Sequence, residues 1–192
     1  DRKEYNGADQ TLTIPAANAE GVVVGETLSL TGATITGQDV ATYTELDGAY
    51  SWSVAKADES DSTGNYTIEV TGSLEIYKST MSVEAEDYSG IYDGQPHGIQ
   101  NVTPSVAAGT TVYYSTDNET WSETAPTWTD VEVDAESGEP AAHTVYVKAV
   151  NANYEDATTS ATVTITKKAI TVNATDRKEY NGADQTLTIP AA

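Results

Sequence analysis

The side chains that could carry out acid–base or nucleophilic chemistry are few in this chain of 192 residues. It has two histidines, His97 and His143, and no cysteine. Neither histidine belongs to a G-x-S-x-G or H-E-x-x-H motif, which would place a nucleophile or a metal-bound water beside a base. His97 lies beside a Gly/Pro turn and His143 opens an alternating segment. The sequence therefore predicts that the protein is not an enzyme and has no catalytic residue.

Calcium binding is the more serious chemistry that the sequence offers. The acidic loop 58–65 supplies closely spaced oxygen donors, with Asp58, Glu59 and Asp61 as candidate ligands. A second acidic stretch, 131–136, has carboxylates at alternate positions, as on the solvent face of a strand. Calcium needs six to eight oxygens from several directions, and neither stretch has EF-hand spacing. Solvated acidic turns and faces are the favoured interpretation, and calcium remains the alternative as the one possible cofactor.

Two further kinds of site follow from single residue types. Lys148 is the only lysine within a strongly apolar alternating segment, which makes it the candidate for an intramolecular isopeptide bond, since burial favours a nucleophilic amine. A solvated or snorkelling lysine is the simpler interpretation. Trp52, Trp121 and Trp128 could stack on a glycan, although tryptophans of this kind are more often buried.

The composition narrows the possible partners. Thirty acidic residues against nine basic ones give a formal charge of −21, which disfavours binding to nucleic acid or to an anionic membrane surface. No apolar run approaches the ~20 residues that span a bilayer, so direct membrane insertion is not expected. Without cysteine no disulfide is possible, and without phenylalanine the core must use aliphatic residues, tyrosine and tryptophan.

The dominant pattern is the alternation of apolar and polar residues, which is typical of half-buried strands. Turn dipeptides such as Asn6-Gly7 and Asp93-Gly94 separate the alternating segments, and no stretch has helical periodicity. The sequence therefore predicts an all-β protein built of two tandem antiparallel β-sandwich, Ig-like domains. The alternating segments lie at 11–14, 50–54, 66–70, 81–85, 143–150, 161–166 and 170–174.

Repeats define the organisation of the chain. Residues 1–17 return unchanged as 176–192, an offset of 175, and fixed-period repetition is typical of units strung in a line. A fainter repeat at intervals of 87 and 88 residues marks a three-residue signature. Its copies are Tyr5-Asn6-Gly7, Tyr92-Asp93-Gly94 and Tyr180-Asn181-Gly182.

The repeats divide the chain into three parts. The first unit is 1–79, and it is expected to lack an opening strand at its N-terminus; the second is 80–168, and 169–192 is the start of the next copy of the first. The segment 170–174 matches 81–85, the expected opening strand of the second unit. Either the chain is a window on a continuous repeat protein, or 169–192 completes the first unit of a neighbouring chain by strand addition.

Residues 4–13 and 91–100 resemble the "YDG" signature of repeats found in large bacterial surface proteins and adhesins. Residues 111–131 and 143–172 are similar to the second half of such a repeat, so the resemblance covers the second unit and is weaker over the first. It implies an extracellular stalk or adhesin module with an Ig-like or β-grasp-like fold, no catalytic activity, and attachment to the cell through parts outside this chain.

The expected function is therefore that of a structural repeat in a surface stalk, adhesin or fibre that projects a functional tip. Its expected partners are adjacent repeats of the same polypeptide or neighbouring identical subunits. Two alternatives remain open: a filament subunit joined head to tail through 169–192, and an adhesion module that binds a host glycan or protein.

Overall fold

The computed structural model describes residues 1–188 and is all-β, as predicted. Residues 189–192, the end of the predicted next copy, lie outside the described residues. Two short 3-10 turns, Ala16–Asn18 and Thr63–Asn65, are the helical elements of the described part. Its strands are β1 Arg2–Glu4, β2 Gln10–Thr13, β3 Thr27–Thr31, β4 Thr34–Gly37, β5 Ala41–Tyr43, β6 Ser51–Ala55, β7 Leu74–Tyr77, β8 Val83–Glu86, β9 Tyr88–Ile91, β10 Gln100–Pro104, β11 Thr111–Ser115, β12 Ala142–Asn151 and β13 Tyr154–Thr166.

The first unit contains three small sheets. Strand β7 lies between β1 and β5, β2 pairs with β4, and β3 pairs with β6. The fully buried side chains of Ile35, Leu74 and Ile76 form the centre of its core. Leu12 and Tyr5 pack against this cluster, so the segment that follows the signature contributes to the core.

The second unit has one larger sheet in the order β11-β12-β13-β9 and a two-stranded sheet of β8 and β10. Its core cluster contains Val83 from β8, Val147 and Ala149 from β12, and Ala157 from β13. The long hairpin β12–β13 alternates between buried and half-buried positions, as the sequence pattern predicted.

Two of the ladders are parallel, which the expectation of antiparallel sheets did not include. Strand β1 pairs in parallel with β7, and β9 pairs in parallel with the end of β13. In both units, therefore, a strand next to the signature turn lies beside the last strand of the unit. Since the two units share this arrangement, the faint sequence repeat corresponds to a repeat in topology.

Two predicted strands do not form. Residues 66–70 alternate between half-buried and exposed positions, but they are not part of any ladder. Residues 170–174 are also outside any strand, and the whole segment 167–188 is exposed. The alternation correctly indicates an extended, two-faced segment in 66–70, but pairing needs a neighbouring strand, which the described residues do not supply in either place.

The ladders join strands within a unit, and one isolated bridge crosses between the units of the described chain. Ser79 at the end of the first unit pairs with Tyr154 at the start of β13. The Ser79 N–H donates to the Asn153 carbonyl at 3.1 Å, and the Glu155 N–H donates to the Ser79 carbonyl at 2.8 Å. The connection between the units is therefore held against the β12–β13 hairpin.

Candidate functional site

The repeated signature is an Asx turn that is completed by a left-handed glycine. The Oδ1 atoms of Asn6, Asp93 and Asn181 accept the backbone N–H two residues further on, at 3.0, 2.9 and 3.1 Å respectively. The glycine that follows each of them has φ of 79°. A short polar side chain that can bond its own backbone, followed by a residue without Cβ, suits this turn, which explains the signature physically.

The third copy keeps the local structure of the first, although it lies outside any sheet. Lys3 Nζ donates to the Thr11 carbonyl at 2.7 Å, and Lys178 donates to the Thr186 carbonyl at 2.5 Å. Gln185 Nε2 donates to the Glu179 carbonyl at 2.7 Å, as Gln10 does to the carbonyl of Glu4. The local shape of this segment therefore does not depend on sheet pairing.

The segment that precedes this third copy exposes an apolar stripe. Ile170 is 89% exposed and Val172 is 67% exposed. Their counterparts in the second unit, Met81 and Val83, pack in its core, where Val83 is only 7% exposed. The same apolar pattern is thus buried in one copy and solvent-exposed in the other, which makes this segment a candidate interaction site.

The junction between the units is a network of short polar contacts. The Asn153 side chain accepts the Val40 N–H and donates to Asp39 Oδ1, both at 2.9 Å. Ser79 Oγ donates to Glu4 Oε1 at 2.6 Å. A single asparagine on the β12–β13 turn therefore contacts the loop between β4 and β5 of the first unit.

An aromatic contact and a buried asparagine support this network. The ring of Tyr5, the first signature tyrosine, meets Tyr154 edge-to-face at 5.3 Å. Asn151 is buried, donates to the Ala108 carbonyl and to Thr110 Oγ1, and accepts the Asn153 N–H at 3.0 Å. Neither Asn151 nor Asn153 was predicted from the sequence as a functional residue.

The acidic loop binds its own backbone. Asp58 Oδ1 accepts the N–H and hydroxyl of Ser60, and Asp61 Oδ1 accepts the Thr63 N–H. These bonds lower the pKa of both carboxyls, chiefly through the side chains of Ser60 and Thr63. Glu59 has φ of 67°, which closes the turn. Within residues 1–188 no cluster of three acidic or histidine side chains could hold a metal ion, and calcium binding stays a prediction.

The second acidic stretch is divided between a turn and a contact with a histidine. Asp134 Oδ1 accepts the N–H groups of Glu136 and Ser137, and the bonds to Ser137 are the main reason that the pKa of Asp134 is lowered. Glu132 lies 3.6 Å from His143 Nε2. The alternate carboxylates therefore do not converge on one point, and the expected solvated face is in fact a hairpin turn.

Asp117 makes the most extensive carboxylate contacts of this kind. Its Oδ1 accepts the N–H groups of Thr120 and Glu119 and the hydroxyl of Ser115, at 2.7–2.8 Å. These bonds, with the Thr120 N–H first, hold the pKa of Asp117 far below its usual range. The charged form of Asp117 therefore stabilises the turn after β11.

We expect Asp117→Asn to lower the melting temperature of the second unit at neutral pH, because the amide is a weaker acceptor for the three donors. A lowered folded-state pKa contributes stability above the unfolded pKa of about 3.9 and loses it as pH falls through the folded value. The wild-type advantage should therefore shrink on acidification. Thermal unfolding of both proteins across acidic and neutral pH measures it, and a constant difference would contradict the assignment.

Both histidines stack on an aromatic ring. His97 stacks on Tyr88 at 4.3 Å, and its Nε2 lies 2.9 Å from Asp93 Oδ1. That contact is the main cause of the lowered pKa of Asp93. His143 stacks on Trp128 at 4.6 Å. Each ring is half-buried and packs on an aromatic neighbour.

Lys148 contacts one of the three tryptophans. The Lys148 ammonium lies 4.4 Å from the centroid of the Trp121 ring, on the half-buried outer face of β12. This geometry is that of a cation–π contact. The isopeptide role of Lys148 stays a prediction. All three tryptophans are half-buried, and Trp52 lines a cavity of the first unit, which is described below.

No protein-family profile matches this chain, and no curated protein is significantly similar to it. Among residues 1–188, no helix is long and apolar enough to cross a membrane. The YDG-type resemblance therefore enters only as an expectation.

Proposed function

We propose that this chain is a mechanical repeat of an extracellular stalk or surface fibre, which holds a functional tip away from the cell. The observation that carries the proposal is the parallel pairing of β1 with β7 and of β9 with β13. When the two ends of such a unit are pulled apart, the paired strands slide along each other. Several backbone hydrogen bonds then have to break together, which suits a unit under tension.

The junction supports the same proposal. The Asn153 side chain connects the units directly, and the Ser79–Glu4 hydrogen bond holds the end of the first unit against β1. Charge supports it as well, because a net −21 keeps neighbouring stalks apart and soluble. Extracellular location and attachment through other parts of a longer protein belong to this proposal.

Single-molecule pulling tests the mechanical role, and the cysteine-free sequence allows handles to be attached at chosen positions. Handles at Thr80 and Lys167 load β9 against β13 along their length. Handles at Ala141 and Lys167 open the β12–β13 ladder from one end, since Ala142 is opposite Thr164. We expect a clearly higher unfolding force for the first pair. Equal forces would contradict a role in bearing tension.

We expect Asn153→Ala to loosen the junction, because it removes both side-chain hydrogen bonds to Asp39 and Val40. Distances between spin labels on the two units should then show a broader distribution, with little change in the stability of either unit. Asn181→Ala, in the exposed third signature, is the matched control and should leave the distribution unchanged. An unchanged distribution in Asn153→Ala would mean that other contacts hold the junction.

A second candidate function is a filament subunit that joins head to tail, and the observation that favours it is the exposed apolar stripe of Ile170 and Val172. Light scattering of the full chain across concentration, beside a chain that ends at Lys168, tests it. Oligomers that form only with the full chain support the filament. Monomers in both cases exclude it and leave the stalk proposal standing.

A further inference from the structure

The first unit has a sheet edge that is occupied in the second. The Ile14 N–H donates to the Ala33 carbonyl at 2.9 Å, next to the last pair of the β2–β4 ladder. Because alternate residues of an antiparallel strand bond to the same side, residues 10, 12 and 14 point to β4. The backbone groups of Thr11 and Thr13 therefore point to the opposite edge, where the Thr11 carbonyl accepts a hydrogen bond from Lys3 Nζ.

Strand β8 lies along the corresponding edge in the second unit. The Ser105 N–H donates to the Ser82 carbonyl at 2.8 Å, so residues 103 and 105 point to β8. Leu12 and Val102 both pack on the core of their own unit, and they mark matching faces of β2 and β10. The open edge of β2 is thus the counterpart of the edge that β8 covers. Among the described residues, no strand covers it.

A cavity of about 550 Å³ borders the end of this edge at Ile14. Its floor includes Leu28 and Leu30 of β3 and Trp52 and Val54 of β6. Another part of its lining is the segment 66–71, in which residues 66–70 alternate between half-buried and exposed positions. No backbone hydrogen bond of residues 67–72 is formed within the described chain. The open edge of β2 therefore continues at Ile14 into a cavity with an apolar floor, and that cavity is also lined by an unpaired extended segment.

We propose that the open edge of β2, together with the adjoining groove lined by Ile14, β3, β6 and 66–71, binds residues 169–175 of a second copy of this chain as an added β-strand. The proposal specifies the acceptor of the filament candidate above, and it rests on that candidate. In the second unit, Val83 of β8 is opposite Pro104 of β10, and Glu84 is opposite Thr103. The same register on β2 places Val172 opposite Ile14 and Asn173 opposite Thr13. Ile170, Val172 and Ala174 then face the groove.

The occupant comes from another copy because its own groove is out of reach. Tyr154 lies beside the first unit, and the 13-residue strand β13 carries the chain about 40 Å away from there. The four residues from Thr166 to Ile170 span at most about 14 Å. Residues 169–175 therefore cannot return to the first unit of the same chain.

Charge is compatible with this occupant. Residues 169–175 carry no charged side chain in a chain of net charge −21, so the strand enters the groove without repulsion. Lys167 and Lys168 precede it and, in the antiparallel register, lie toward the end of the groove where Glu20 lies. Residues 176–188 stay outside the groove, because residues 1–13 of the acceptor already occupy the corresponding place.

Matched substitutions in the donor strand, residues 169–175, test which of its two faces lies against the groove. Val172→Asp places a charge against the apolar floor and should weaken association roughly 100-fold or more, because an unpaired buried charge costs several kcal/mol. Asn173→Asp adds the same charge on the outward face and should leave association near the wild-type value. Sedimentation of the full chains over a range of concentrations measures both.

Mixing two defective chains tests the head-to-tail arrangement. Thr13→Pro removes the N–H that points to the open edge and should block the acceptor, whereas Val172→Asp blocks the donor. Each chain alone should remain monomeric. The mixture should form dimers but no larger oligomers, because each pair of chains has only one intact donor strand and one intact acceptor groove. Circular dichroism checks that both variants are folded.

A disulfide between chains tests the register without disturbing the core. In a chain with both Thr13→Cys and Asn173→Cys, the two introduced thiols are opposite each other at a Cα separation of about 5.5 Å, within the range of a disulfide. Oxidation should give covalent ladders. Thr13→Cys with Asp184→Cys, whose second thiol lies outside the groove, should not.

The outcomes separate the two proposals. Wild-type chains that remain monomeric across concentration overturn both the filament and its acceptor. If wild-type chains assemble and Val172→Asp leaves that assembly unchanged, the groove is not the acceptor site. The filament candidate then still stands. The same conclusion follows if the chain with Thr13→Cys and Asn173→Cys assembles but forms no disulfide between chains. If 176–188 instead displaced 1–13 of the acceptor, the thiol introduced at position 13 would be expelled from the site and the bond would not form.

Discussion

Leu74→Ala is expected to lower the free energy of unfolding of the first unit by about 2–5 kcal/mol, the usual cost of truncating a fully buried leucine. Leu74 is 0% exposed and packs with Ile35 and Ile76 at the centre of the core. Since a small domain is stable by only about 5–15 kcal/mol, this loss is a large share of the total. The core of the second unit contains none of these residues and should be unaffected.

Denaturant unfolding with two probes measures this prediction. Trp52 reports on the first unit, and Trp121 and Trp128 report on the second. Ile165→Ala, which truncates a buried side chain of β13, is the mirror control and should shift only the second transition. A single transition that moves as a whole in both variants would contradict the division of the chain at residue 79.

The second large effect is expected for Asn151→Ala. Asn151 is buried, donates two side-chain hydrogen bonds and accepts the Asn153 N–H. Removing it leaves buried polar partners unsatisfied, at about 1–3 kcal/mol, and frees the turn that carries Asn153. The second unit should therefore become less stable, and the junction should loosen at the same time.

The two effects can be separated by comparison with Asn153→Ala. That variant should loosen the junction and keep the stability of the second unit, whereas Asn151→Ala should change both. Chemical denaturation gives the stability, and distances between labels on the two units give the junction. If Asn151→Ala loosened nothing, the Asn153 side chain would be positioned by some other contact.

Much of the fold follows from the alternation of apolar and polar residues. Strands β2, β6, β8, β12 and β13 lie within two residues of predicted segments, apart from the earlier start of β13 at Tyr154. Each has apolar side chains on one face, which is enough to define an extended, half-buried segment. The alternation does not predict the partner of a strand. The parallel ladders of β1 and β9 and the unpaired state of 66–70 were therefore not predicted.

The candidate site was predictable only where it is local in sequence. The Tyr-Asx-Gly signature predicted a turn, since its hydrogen bond joins residues two apart. The contact of Asn153 with Asp39 joins residues that are distant in the chain, and no local pattern indicates it. The position of Lys148 over Trp121 likewise depends on how the connection after β11 folds back onto β12.

The parallel pairing of β1 with β7 also sets the order in which the chain can fold during synthesis. Residues 2–4 leave the ribosome long before residues 75–77, which are their partners, so the first unit cannot close until its last strand has emerged. The side-chain hydrogen bonds around the signature need no partner strand, since Lys178 and Gln185 form them outside any sheet. The loop around the signature can therefore form before its sheet partners have emerged, and the surrounding negative charge disfavours aggregation of the incomplete edge.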